Sequence, residues 1–78
     1  MKAYGNTKGF KENEYGISEV SEISISATPE QLKEISSFLL EAAKEMESMG
    51  DEYDHIHLQD TSSKWNETWL DIIVGKSE

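Results

Sequence analysis

Between Leu32 and Met49 the apolar positions recur at alternating steps of three and four. Leu32, Ile35, Leu39, Ala42, Met46 and Met49 share one helical face, and Phe38 and Ala43 widen it. The flanking residues agree with a helix over residues 29–49. Thr28 is a natural N-cap, Pro29 suits the first helical position, and Gln31 three residues after the cap completes a capping box. Gly50 tolerates the left-handed turn that ends such a helix. Elsewhere the period drops to two. Ile23, Ile25 and Ala27 alternate with Ser24 and Ser26, which predicts a strand over residues 16–27 with the apolar side chains in the core. Val20 falls on the other parity, so a bulge is expected near Ser21 and Glu22. Ile56 and Leu58 alternate with His55, His57 and Gln59, predicting a strand over 53–60. Leu70, Ile72 and Val74 alternate with Trp69, Asp71 and Ile73, predicting a last strand over 68–75. Thr61 to Asn66 reads as the polar loop between them. Within residues 1–14, Lys2 to Gly5 reads as a short first strand and Asn6 to Glu14 as a loop.

These elements predict a single α+β domain over residues 1–78. Its expected form is a two-layer sandwich, with one amphipathic helix packed on a four-stranded sheet in ββαββ order. The strands flanking the helix should run parallel, and each hairpin should add an antiparallel partner. One helix covers only one face of such a sheet. The other face is expected to present Tyr53, His55, His57, Trp69 and Ile73 to water or to a partner, as exposed aromatic surface commonly marks a contact site.

Composition narrows the classes of function. Sixteen acidic residues against seven basic ones leave a formal charge of −9. Such a field repels nucleic acid and anionic membranes and attracts basic partners, and the chain lacks the basic stripe of a nucleic-acid binder. With no cysteine, disulfides, thiolate metal sites and cysteine nucleophiles are excluded. No apolar run approaches the roughly 20 residues that span a bilayer, and residues 1–10 lack the apolar stretch of a secretory signal. The expected location is the cytoplasm.

Candidate chemistry is confined to Asp54-His55-Ile56-His57-Leu58-Gln59-Asp60. On a regular strand both histidines share a face, where they could hold a divalent metal with a third ligand from another element, such as Asp71. Histidines that only bond across strands or meet a partner are the commoner outcome, so no metal or other cofactor is assigned. The serines show no Gly-x-Ser-x-Gly elbow, and no glycine-rich loop precedes the helix to cradle a phosphate. One helix on one sheet offers little of the concavity that acid–base catalysis needs. The residues point to a binding protein and not to an enzyme. A small metal-binding protein centred on His55 and His57, or a homodimeric module pairing its open sheet faces, are the alternatives.

Several runs together resemble a bacterial polymorphic-toxin immunity family, immunity protein 32. They are Ser18-Glu19-Val20, Ala27-Thr28-Pro29-Glu30-Gln31-Leu32, Phe38-Leu39-Leu40-Glu41-Ala42-Ala43, the run from Asp54 to Asp60, and Asp71-Ile72-Ile73-Val74. The Asp-His-x-His-Leu-Gln-Asp run is the most distinctive of them. The resemblance implies an α+β inhibitor that binds and neutralises a cognate protein toxin in the producing cell. An acidic inhibitor suits a toxin with a basic cleft, such as a nuclease. The residues expected to meet it are Asp51, Glu52, Tyr53, Asp54, His55, His57, Asp60, Trp65 and Trp69.

Overall fold

A computed structural model describes residues 1–12 and 18–77, with side chains described for 1–7 and 18–77. The predicted strand start at 16–17 and the loop end at 13–14 lie outside the described residues. Among the described residues seven elements follow one another: strand β1 (Lys2–Glu12), strand β2 (Ser18–Ser26), helix α1 (Pro29–Met49), a 3-10 turn (Gly50–Glu52), strand β3 (His55–His57), a one-turn helix α2 (Leu58–Thr61) and strand β4 (Ile73–Gly75).

Helix α1 forms where the periodicity places it. Thr28 Oγ1 accepts from the Gln31 N–H at 3.1 Å, and Gln31 Oε1 accepts from the Thr28 N–H at 2.8 Å, so the capping box is complete. At the other end Gly50 adopts φ +56° and its N–H bonds to the Met46 carbonyl. Of the predicted apolar stripe, Ile35, Phe38 and Ala42 are buried, whereas Leu32, Leu39 and Met49 remain about half exposed. The buried stripe is narrower than the apolar one and turned towards Phe38, because the helix meets its core on that side only.

The strands form two separate antiparallel pairs, β1 with β2 and β3 with β4, and not one four-stranded sheet. In the first pair Ala3 opposes Ile25 and Gly5 opposes Ile23. The register then slips so that Asn6 opposes Glu22 while Thr7 opposes Val20. Ser21 is the extra residue, so the expected bulge is present, and Ser21 Oγ bonds to the Asn6 carbonyl at 3.3 Å. The slip brings Val20 onto the face of Ile23 and Ile25. A Cβ on Gly5 would sit 3.2 Å from Val20 Cγ1 and 3.3 Å from the Glu22 carbonyl, so the strands approach closely there. β1 also runs past Gly5 to Glu12, where a loop was expected.

The core lies between α1 and the C-terminal third of the chain. Ile35, Phe38, Leu58 and Trp69 form its centre, with Met1, Ile56, Trp65, Ile72 and Val74 packed against it. Two corrections follow. Ile23 and Ile25, expected in the core, are exposed, since α1 does not lie over the β1–β2 hairpin. The expected strand over 53–60 keeps only three strand residues before the chain turns into α2. Leu58 is fully buried as the first residue of that turn. Its N–H bonds to the Ile72 carbonyl at 2.8 Å, and Thr61 Oγ1 bonds back to the His57 carbonyl at 2.9 Å.

Candidate functional site

The β3–β4 ladder pairs His55 with Gly75, Ile56 with Val74 and His57 with Ile73. Ile56 and Val74 therefore face the core, while His55, His57 and Ile73 face outward, as the alternation requires. The two imidazoles meet edge to face with centroids 5.0 Å apart. Each is tied to a carboxylate: His55 Nδ1 to Asp54 Oδ2 at 2.5 Å, and His57 Nδ1 to Asp71 Oδ2 at 2.6 Å. A carboxylate can only accept, so both Nδ1 atoms carry the proton. Asp71 Oδ1 accepts from the Gln59 N–H at 2.9 Å. Partial burial pushes the Asp71 carboxyl up, but the Gln59 N–H, His57 and the Ile72 N–H outweigh it and hold the group below its ordinary value.

Asp71 thus reaches one histidine, as a hydrogen-bond partner to its Nδ1. Among the described residues no three His, Asp or Glu side chains converge on a point that could hold a metal ion. Tyr53 and Trp69, expected on the open face, are instead core residues, 5% and 9% exposed. The Tyr53 hydroxyl donates to the Val74 carbonyl at 2.7 Å, and burial, with Glu45 and Asp54 nearby, pushes its pKa up. Trp65 is half-buried against the core, its indole N–H donating to the Leu70 carbonyl at 3.0 Å. The tight turns from Asn66 to Trp69 fold the aromatics inward where a strand was predicted. Of the remaining expected contact residues, Asp51, Glu52, Asp54, His55 and Asp60 are exposed, and Asp51 forms an ion pair with Lys76 at 3.2 Å.

A second acidic surface lies on the outer face of α1, where the residue pattern already places Glu30, Glu34, Glu41, Glu45 and Glu47 beside Lys33 and Lys44. Glu30, Glu34, Ser37, Glu41 and Glu45 follow one ridge of α1 at steps of four, three, four and four. Beside it lies a groove of about 270 Å³ lined by Glu34, Ser37, Phe38, Glu41 and the hydroxyls of Thr61, Ser62 and Ser63. Ser62 Oγ donates to Glu34 Oε1 at 2.6 Å, and Lys64 Nζ lies 3.5 Å from Glu30 Oε1. The like-charge pairs Glu30–Glu34 and Glu41–Glu45 were the available signal, since four-residue repulsion does not stabilise a helix. The groove's other wall, α2 and the residues after it, could not be placed from the sequence. What both surfaces offer chemically is negative charge and hydrogen-bond acceptors.

No helix among the described residues is long and apolar enough to cross a membrane. No curated protein sequence and no solved structure matches the chain. A protein-family model described as immunity protein 32 matches residues 22–77. The match takes in β2 from Glu22, all of α1, and the β3–α2–β4 unit with its histidine and carboxylate pairs. It covers well over half of the 78 residues, and the chain belongs to the immunity protein 32 family.

Proposed function

We propose that this chain neutralises a cognate polymorphic toxin by stoichiometric, non-catalytic binding in the cytoplasm of the cell that makes both. Family membership over residues 22–77 is the observation that carries the reading. The charge of −9 supports the choice of surface. A basic toxin, a nuclease for example, would meet carboxylates on two sides: the α1 ridge from Glu30 to Glu45, and the exposed end formed by Asp51, Glu52, Asp54 and His55. Charge of one sign concentrated on a small surface steers an oppositely charged partner and raises its association rate.

Co-expression tests the reading directly. The toxin encoded beside this chain should arrest growth alone, and co-expression with this chain should restore it. Purified chain and toxin should form a one-to-one complex. Arrest that persists with folded, abundant chain present would remove the proposal. A Glu34→Lys/Glu41→Lys variant should keep its fold, since both substitutions lie at the groove rim, and should associate with the toxin roughly tenfold more slowly at low salt.

A further inference from the structure

The two histidines of this chain, His55 and His57, each engage only one ring nitrogen. His55 Nδ1 bonds to Asp54 Oδ2 and His57 Nδ1 to Asp71 Oδ2. Among the described residues no hydrogen bond or ion pair takes up Nε2 of either ring. In the neutral ring a proton on Nδ1 leaves the lone pair on Nε2. Across the ladder His55 opposes Gly75, which has no side chain, and His57 opposes Ile73, whose side chain has no polar atom. The two imidazole side chains stay 47% and 28% exposed. Bonding to the facing segment of chain thus accounts for one nitrogen of His57 and for none of His55.

The arrangement has the features of a chelating pair. A histidine that ligates a metal commonly donates its other ring N–H to a carboxylate, which orients the ring and makes the ligating nitrogen more basic. Here both rings do so. The rise of two strand residues alone would separate the rings by about 7 Å. They lean together instead, with centroids 5.0 Å apart and an interplanar angle of 65°. Two imidazoles that hold one tetrahedral ion through Nε2 at about 2.0–2.1 Å have centroids about 5 Å apart. Both partners of the rings are carboxylates, so the local charge favours a cation. Lys76, which follows Gly75, is itself paired with Asp51 at 3.2 Å. Imidazole nitrogens suit zinc, copper or nickel and not magnesium or calcium, which take oxygen ligands.

We propose that His55 and His57 bind one zinc ion through their Nε2 atoms, while Asp54 and Asp71 hold the rings by their Nδ1 protons. No third His, Asp or Glu among the described residues joins them. Two positions of a tetrahedral ion therefore stay open towards solvent and carry water. The site is on β3 and not on the acidic ridge of α1, and its occupancy does not require the toxin.

Calorimetric titration of the metal-free chain with zinc chloride, at about pH 7.5 in a buffer that does not bind metal, tests the site. The expected result is one ion per chain. Asp71→Asn leaves both ligands in place and should weaken zinc binding roughly tenfold, with His55→Gln and His57→Gln each weakening it at least as much. Glu34→Gln/Glu41→Gln, on the ridge of α1, should leave it unchanged. Circular dichroism of the metal-free variants checks that each is folded. Nitrogen NMR of the wild-type imidazoles gives a reading that needs no variant. Zinc should move the Nε2 resonances of both rings and leave both Nδ1 atoms protonated. Zinc taken up equally by the wild type and both histidine variants is held by carboxylates alone and overturns the proposal. A wild-type chain that takes up no zinc overturns it too, as does a spectrum in which one ring is unmoved or Nδ1 is the nitrogen that responds.

Discussion

Asp71 shows how much one side chain organises here. It lies 22% exposed between β3 and β4, accepting from the Gln59 backbone with one oxygen and from His57 Nδ1 with the other. It thereby fixes the ring of His57 and the first turn of α2 together. Its carboxyl is held below the ordinary range, so its stabilisation is present above the unfolded value of about 3.9 and is lost as pH falls through the lower folded value. Asp71→Asn should lower stability at pH 7 by about 1–2 kcal/mol, the scale of hydrogen bonds to a charged group. The difference should shrink when both proteins are unfolded with urea at about pH 3, below the unfolded value, where the wild-type carboxyl takes up a proton on unfolding. A gap of equal size at both pH values would mean that the charge contributes nothing. Of this arrangement the sequence reveals the residues but not the bond. Asp71 is a plausible neighbour of the histidines because it sits in a facing apolar run, yet its register against His57 depends on where β4 begins.

At the scale of elements, local signals were legible and long-range ones were not. α1 begins and ends where Thr28, Pro29 and Gly50 say it should, because capping is settled within four residues of chain. The Ser21 bulge was legible for the same reason, from a change of parity along one strand. The run from Tyr53 to Asp60 was misread because apolar alternation over so few residues does not separate a strand from a strand that enters a helical turn. In both cases Ile56 and Leu58 point inward. The aromatics were misplaced for a related reason: Trp69 is buried by a tight turn, not by a strand face, and turns of that kind leave no periodicity. The core that results is small, so α1 depends on few contacts. Phe38, 2% exposed, lies in the buried cluster with Ile35, Leu58 and Trp69 that packs the helix against α2 and Trp69. Phe38→Ala should therefore cost about 3–5 kcal/mol, a large part of the roughly 5–15 kcal/mol that stabilises an ordinary domain. Urea unfolding should show a midpoint shifted far down or a chain already unfolded at 37 °C. A loss below about 1 kcal/mol would show that the core has another centre.

Across the whole molecule the charge is unevenly placed, and that has a kinetic consequence. Glu30, Glu34, Glu41 and Glu45 line one ridge of α1 and Asp51, Glu52 and Asp54 follow its end, whereas Val20, Ile23 and Ile25 are exposed on the hairpin and Leu32, Leu39 and Leu40 on the opposite flank of α1. A toxin drawn by the first surface and one gripped by the second would respond differently to salt. Steering acts before contact, over distances that ions screen, so it raises the association rate and leaves dissociation nearly unchanged. Apolar burial acts after contact and is little weakened by simple salt. If the acidic surface recognises the toxin, raising ionic strength from about 0.02 M to about 0.5 M should slow association by at least tenfold, as the screening length falls from roughly 20 Å to about 4 Å. Dissociation should change by much less. Glu34→Lys/Glu41→Lys should lower the low-salt rate and flatten its salt dependence, and Ile23→Glu should do neither. Stopped-flow mixing of the labelled chain with its toxin separates the two cases. An association rate indifferent to salt would move recognition from the carboxylates to the hairpin and the Leu39 flank.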